Sequence, residues 1–434
     1  MHKNKVAFII AGVFTILISG CAGANYFQGR RNLDNGNYGK AIEYFNQEIQ
    51  IEPDNFKAHR DLGIALYKTN DLNNSLASLQ MAFRIKKDDA FTIFYLGLVS
   101  EASNDYDKAL SYYKKYVNLG ILDEGVKNVI DGRIQWIANK KIENEVRNAL
   151  KTESELKTDS LQSNSLAVLY FQNIGDNKEL DPLQKGLTEM LITDLSKVKT
   201  LKVIERVKLQ KLLQEMGLGQ SGLVSQESAP RIGKLFGVGK LVKGTFIDLD
   251  ASNFRIGVGM IGAGSGSYND LTKVTGSLQN LFKLEKELTF NIIGEMGIKL
   301  TDQEREAIQI IPTGSYLAFV AYSKGLDFED QGRYQEASEQ YQQAFSIDPG
   351  FSSAGDKMHS ADAMDKSSGD INKIETQAAP PAETAAPAMV DRLNETNVQL
   401  TGETVTGRDD RNPAADNSFG RGVKVDILIN LPPD

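Results

Sequence analysis

The stretch YFQGRRNLDNGNYGKAIEYFNQEIQIEP, residues 26–53, decides how the first third of the chain folds. Within it Gly29 is followed by Tyr38, the small residue Ala41 and then Phe45, and the stretch closes on Pro53. The same order returns as Gly63, Leu72, Ser75 and Leu79, and again as Gly97, Tyr106, Ala109 and Tyr113, so the glycines stand 34 residues apart. Small residues at two points let a pair of helices approach closely while the large ones fill the gap. Neither helix of such a pair buries its apolar face alone, so the units must stack. A helical stretch from Asp123 to about Leu150 continues the stack irregularly, with Trp136 as its capping core residue. Far downstream Gly325, Tyr334, Ala337, Tyr341, Ala344 and Pro349 repeat the internal spacing. A lone unit has no copy to stack on, so residues 313–350 are expected to pack on the central part of the chain or on the first array.

A period of 34 with this alternation of small and large residues resembles the tetratricopeptide repeat (TPR). The chain departs from that pattern at Glu48, where a small residue is usual, and at Ile121, where the third unit lacks its closing Pro. Carried over position by position, the resemblance places Arg30, Lys57, Arg60, Ile64, Tyr67, Phe91 and Phe94 on the concave face. It implies a groove for an extended acidic or apolar peptide. The two-asparagine carboxylate clamp of some peptide-binding repeats is not matched.

Composition bounds the rest. With 434 residues, 24% charged, and a formal net charge of -8, the chain is expected to hold about two to three domains of roughly 100 to 200 residues each. An acidic chain lacks the Lys and Arg excess that phosphate neutralisation requires, so no nucleic-acid partner is expected. One Cys excludes an internal disulfide framework, and the widely separated His2, His59 and His359 leave no material for a metal cluster or a catalytic triad. No catalytic residue, metal or cofactor is assigned. The string Gly257-Val-Gly-Met-Ile-Gly262 matches a dinucleotide fingerprint, but it leads toward another strand rather than into a helix. Glu205-Arg206 reads as an ion pair at a strand end rather than as an acid and a base. Asp248 and Asp250 read as turn carboxylates.

Residues 1–20 have a charged start at His2, Lys3 and Lys5, an apolar run from Val6 to Ile18, and a small-residue exit, which is a secretory signal. Ile18-Ser19-Gly20-Cys21 resembles the lipobox of bacterial lipoproteins, which implies lipidation of Cys21. At about 0.8 kcal/mol per buried CH2, two or more acyl chains make a stable anchor. Ala22-Gly23 follow, without the Asp that retains that class at the inner membrane. The implied address is the outer membrane of a Gram-negative envelope, facing the periplasm.

From Ser165 the periodicity changes. Leu166 to Phe171 is a candidate buried strand, and Asp181-Pro182 starts a helix carrying Leu183, Leu187, Met190, Leu191 and Leu195. A strand from Leu201 to Glu205 follows, then a helix from Arg206 to about Met216 and a Gly-rich turn at 217–222. Next come a helix from about Glu227 to Phe236, a hairpin of Leu241–Leu249 with Phe254–Ile261, a third strand near Thr272–Leu278, and a helix from Leu281 to about Met296. Strand and helix alternation followed by a meander implies an α/β domain with a mixed sheet. The blocks Leu166-Ala-Val-Leu-Tyr-Phe171, Gly186-Leu-Thr-Glu-Met190 with Asp194-Leu195, Val203-Ile-Glu-Arg206, Gly217 to Leu223, Gly233 to Val238 and Leu241-Val-Lys-Gly244 resemble, in order, the curli production assembly/transport (CsgG-like) family.

The expected architecture is thus an α+β multidomain chain. It has a signal at 1–20, an all-α TPR solenoid at 21–150, a CsgG-like α/β domain at 164–300 and an extra TPR-like helix pair at 313–350. Residues 352–420, polar and Ala/Pro-rich, are read as disordered linker. Residues 421–434, where Val423, Val425, Ile427 and Ile429 alternate with other side chains, are read as a terminal strand-like segment. The implied function is a lipid-anchored adaptor in assembly or secretion of an envelope or surface structure. It would hold a protein or peptide in the TPR groove and the membrane through Cys21, with a homo-oligomer as a further option. The alternative is an oligomeric outer-membrane secretion channel. That reading requires sustained strands of about 9–11 residues in barrel hairpins, and residues 240–281 leave room for a short meander only.

Overall fold

A computed structural model describes residues 23–155, 161–217, 229–249 and 253–380. The signal, Cys21, most of the Gly-rich turn after Gly217, Asp250, and everything from 381 onward, the terminal strand-like segment included, lie outside the described residues.

Seven helices open the fold: α1 (Ala24–Asp34), α2 (Tyr38–Ile51), α3 (Phe56–Lys68), α4 (Leu72–Ile85), α5 (Ala90–Ala102), α6 (Tyr106–Val117) and α7 (Glu124–Lys151). The periodic glycines mark the crossing points of the pairs. A Cβ on Gly29, Gly63 or Gly97 would lie 2.6, 2.5 or 2.8 Å from Phe45, Leu79 or Tyr113. Only hydrogen fits there, which is why glycine and the large residue recur together. Seven residues after each glycine the first helix of the pair ends in left-handed backbone, at Gly36 (φ 74°), Asn70 (φ 63°) and Asn104 (φ 58°). Asn55, Asp71, Asp89, Asp105 and Asp123 cap the helices that follow by accepting a backbone N–H. Glu48 is fully buried because its carboxylate accepts from the backbone N–H of Gly23 at 2.9 Å and of Tyr26 at 3.3 Å. An acid at the amino end of α1 is stabilised by the helix dipole, so the departure from the repeat pattern is a cap.

The central sheet is mixed, with order β3-β1-β4-β5-β6 and β2 pairing β4. Its strands are β1 (Gln162–Val168), β2 (Gln172–Asn173), β3 (Lys202–Val203), β4 (Val238–Asp248), β5 (Phe254–Gly262) and β6 (Tyr268–Gly276). β1, β2 and β3 run parallel to their neighbours, and β4, β5 and β6 form an antiparallel meander. One face packs under α8 (Leu183–Leu195) and α11 (Leu281–Glu295), where Phe254, Ile256, Val258 and Met260 of β5 are buried with Leu187, Leu191, Leu288 and Ile292. The other face packs under α9 (Arg206–Glu215), α10 (Ala229–Phe236) and the end of α7, with Ala167, Leu169, Leu241 and Ile261 against Leu209, Leu213, Ile232 and Val146. The Gly257–Gly262 string is strand throughout, paired on both sides. A Cβ on Gly259 would lie 2.3 Å from the Tyr268 hydroxyl, so that glycine clears space for a ring lying across the sheet. β6 therefore begins at Tyr268, earlier than its apolar residues alone suggest.

After α12 (Asp302–Gln309), α13 (Tyr316–Asp330) and α14 (Tyr334–Ile347) form the fourth unit, with Gly325 against Tyr341 at 2.5 Å for an added Cβ. This pair packs on α8 through α13, and through the next helix it also reaches the first array. That next helix corrects the sequence reading, since residues 352–380, expected as linker, form α15 (Ser352–Ser367) and α16 (Ile371–Ala378). Low apolar content predicts inability to bury surface. In fact Ala354, Gly355, Ala361, Ala363 and Ser367 of α15 are buried by close approach, and a Cβ on Gly132 of α7 would lie 2.1 Å from the Ala363 carbonyl oxygen. Small residues on both helices replace bulk with proximity.

One buried charge cluster sets a pH dependence. Glu285 on α11 stands beside Asp194 and Lys286, with its Oε1 accepting from Thr289 at 2.7 Å. Burial and then the Asp194 charge push its carboxyl up from 4.5 to about 8, against Lys286 and Thr289. Asp194 in turn pairs with Lys286 and, at 2.7 Å, with Lys197. The folded state therefore holds a proton that the unfolded state releases above pH 4.5. Its stabilising contribution is complete below that pH and is lost as pH rises toward 8. Glu285→Gln should flatten this loss, whose slope is at most about 1.4 kcal/mol per pH unit. Urea midpoints at pH 5, 6, 7 and 8 for both chains test it, and parallel profiles would contradict it.

Candidate peptide-binding face

The candidate site is the face of the first array formed by α1, α3, α5 and α7. Arg60 is buried there: its Nε donates to Asp61 at 2.7 Å, its Nη1 stands 3.4 Å from Asp89, and its guanidinium lies 5.1 Å from the Phe91 ring centre. Arg30 pairs with Asp34 at 3.0 Å and Asp61 at 3.5 Å. Burial pulls its pKa down, but Asp61 and Asp34 outweigh that and hold it above the ordinary value. Phe94 is buried among Tyr95, Tyr113 and Tyr116, and Ile64 is buried in the same core. Lys57, Tyr67 and Phe91 are half-buried. Arg30 and Arg60 thus meet carboxylates of the array itself, while the aromatics are divided between the core and the face.

Tyr67 leads to what occupies the face. Its ring meets Tyr95 edge-on at 6.0 Å, and burial, then the charge of Glu375, raise the phenol well above its usual range. Glu375 belongs to α16. One of its carboxylate oxygens accepts from the Tyr95 hydroxyl at 2.6 Å and the other from Lys68 Nζ at 2.6 Å. Ile374 and Ala378, one turn apart, are fully buried in the core of the array, and the Tyr116 hydroxyl donates to the Ala378 carbonyl at 2.9 Å. Arg133 of α7 closes the end of α15: it pairs with Glu101, donates to the carbonyl oxygens of Ser367 at 2.7 Å and Gly369 at 3.0 Å, and stacks on Trp136 at 4.1 Å. A cation at exposed carbonyls satisfies a helix carboxyl end.

The array therefore holds a short helix by a carboxylate seat, an apolar seat and a carbonyl donor. Sequence reasoning selected Tyr67 at this seat and missed Lys68, Tyr95, Tyr116 and Arg133. Lys68 directly follows Tyr67 at the end of α3, and the clustered tyrosines in α5 and α6 were the signal available. Elsewhere, a cleft of about 280 Å³ is lined by Glu189, Asp194, Lys197, Lys286 and Tyr322, but Asp194 pairs with both Lys197 and Lys286 there. Among the described residues no group of three or more His, Cys, Asp or Glu stands placed to hold a metal ion. Arg206 does not pair with Glu205. It is buried against Glu189 at 2.9 Å and against Asp330.

Comparison with known proteins agrees with this division. The family described as curli production assembly/transport component CsgG matches residues 141–278, and two tetratricopeptide families match residues 26–90 and 321–351. A curated relative, a putative adenylate cyclase 3 of Rhizobium meliloti (strain 1021), is 27% identical over 196 residues, 44% of this chain. The match spans about a third of that relative's length, 31%. Among solved structures, a tetratricopeptide repeat protein from Parabacteroides merdae ATCC 43184 aligns at 10% identity and TM-score 0.26, covering 79% of this chain and 99% of that one. The TPR2AB domain of yeast Sti1 in its pHSP90 complex aligns at 10% identity and TM-score 0.28, with coverage of 79% and 99%. The chain thus carries a CsgG-like segment flanked on both sides by tetratricopeptide repeats.

Proposed function

We propose that this protein is a lipid-anchored adaptor on the periplasmic side of a Gram-negative outer membrane, serving assembly or secretion of an envelope or surface structure. The CsgG-like segment supports an envelope-associated role in assembly or transport, and repeat folds of this kind generally bind protein or peptide partners. The observation that carries the adaptor reading is the first array's hold on a helix through Lys68, Tyr95 and Tyr116. Cys21 is the proposed anchor. No helix among the described residues is long and apolar enough to cross a membrane. We assign no enzymatic activity, because the matched CsgG and tetratricopeptide families are non-enzymatic and the partial match to a putative cyclase lies at low identity. The secretion channel is the less favoured reading, since β5 places its apolar side chains under α8 and α11 rather than toward lipid.

The full chain, expressed with its amino terminus intact, should fractionate with outer membranes, and Cys21→Ser should move most of it to the soluble periplasmic fraction. Unchanged fractionation would remove the anchor from the proposal. Extraction in mild detergent should yield a monomer or dimer. A closed ring of many subunits would instead establish the channel.

A further inference from the structure

We propose that α16 is a resident ligand of the repeat array, and that the partner the array takes is a short helix of the same chemistry that must displace it. The inference rests on the adaptor reading and gives its unidentified partner a pattern: an aliphatic residue, a carboxylate directly after it, and a small residue one turn beyond the aliphatic. In α16 these are Ile374, Glu375 and Ala378, which fill the apolar seat, the Lys68 and Tyr95 seat, and the place beside Tyr116.

Three observations make α16 exchangeable where α15 is fixed. It has eight residues, below the roughly 12 to 15 that an isolated helix needs, so it is helical only while docked. It buries three residues, Ile374, Glu375 and Ala378, whereas α15 buries six, Ala354, Gly355, Ala361, Ala363, Met364 and Ser367, against its neighbours. Between them Gly369 takes φ +95°, a left-handed backbone that glycine adopts freely, and Arg133 holds its carbonyl. α16 is thus attached at a pinned pivot and opens without unfolding what precedes it. Tethering sets an effective concentration of roughly millimolar, so a competitor must add contacts of its own. The rest of the face, from Tyr67 back to Tyr26 and Arg30, lies next to the seat and supplies them. Charge decides the sign of the competitor. Glu375 is buried at a lysine and a tyrosine hydroxyl, so a helix with a neutral or basic residue there leaves Lys68 unanswered.

Two measurements on the full chain test this. In hydrogen exchange, the amides of 371–378 should exchange at least tenfold faster than those of 356–367. Equal protection would mean that the two helices open only together, and the proposal would fall. A fluorescent peptide spanning residues 368–380 should bind the variant Ile374→Asp/Glu375→Lys at least tenfold more tightly than the unsubstituted chain. Adding Lys68→Ala and Tyr95→Phe should remove that binding. A variant that melts as the parent does and still fails to gain affinity would overturn the proposal. So would dimerisation of the parent chain that Ile374→Asp abolishes, because α16 would then occupy a second copy. None of these readouts depends on the membrane: a ring in detergent would defeat the adaptor and leave the exchange and peptide results standing.

Discussion

Arg206→Ala is expected to lower the stability of the full chain by about 3–5 kcal/mol, the cost of leaving a buried charge without its partner. Arg206 begins α9, and its guanidinium bridges Glu189 of α8 to Asp330 at the end of α13. Burial pulls its pKa down, but Asp330 and Glu189 more than reverse that and hold it well above the ordinary value. Asp330 is also 2.9 Å from Lys185 and 3.2 Å from the Tyr170 hydroxyl, which reaches Gln210 at 2.6 Å. Removing the arginine takes from Glu189 its ion-pair partner and leaves the buried Asp330 with Lys185, which Asp327 also engages. The junction between the central sheet and the fourth repeat unit should therefore fail first. Urea unfolding followed by circular dichroism should show the first transition shifted by that amount, with residues 316–347 becoming protease-sensitive. Burial raises Asp330 less than Arg206 and Lys185 lower it, so the bridge is complete above the ordinary carboxylate range and weakens as pH falls below it. A shift below about 1 kcal/mol would mean that the network relaxes around the loss.

Arg133→Ala should have a comparable effect at the other junction, about 3–5 kcal/mol. Glu101 would stay buried beside the Tyr113 hydroxyl at 3.0 Å, and the Ser367 and Gly369 carbonyls would lose their donor. The release should be local, with α15 and α16 leaving α7 together. Limited proteolysis would then cut between 352 and 380 in the variant and spare the parent. A variant that keeps its protection there would show that the Gly132 and Ala363 contact suffices on its own.

How much of this was legible depended on which physical signal carried each element. The repeat units were, because Gly29, Gly63, Gly97 and Gly325 each meet a large residue at a contact only glycine permits, and that constraint prints a period in the chain. Gly36, Asn70, Asn104 and Gly332 carry the same period in their left-handed backbone, a signal as plain as the first once a turn is looked for. The central elements followed from apolar runs, although β3 shrinks to Lys202–Val203 because Arg206 is already helical. α15 and α16 were not legible. The burial of α16 and of one side of α15 comes from partners hundreds of residues away, and α15 packs through small side chains, which composition reads as polar and weak. The pairings at the site were not legible for a related reason. Carrying repeat positions over names the face but not its pairings, and Arg60 looks identical in sequence whether it waits for a ligand or already holds Asp61 and Asp89.

The helix α7 runs unbroken from the array, where Ile130 and Ile137 are buried, into the back of the sheet, where Val146 is buried. α15 joins the same two bodies by a second route, through Gly132 at one end and the fourth unit at the other. Two struts fix one distance. Inserting a single residue between Ile137 and Val146 would turn everything beyond it by about 100°, and inserting seven would nearly restore the azimuth while adding about 10 Å that α15 cannot follow. Descendants of this chain can therefore lengthen the turns between repeat helices with little consequence, whereas α7 tolerates neither insertion nor deletion. Its length should be the most faithfully inherited dimension of the molecule.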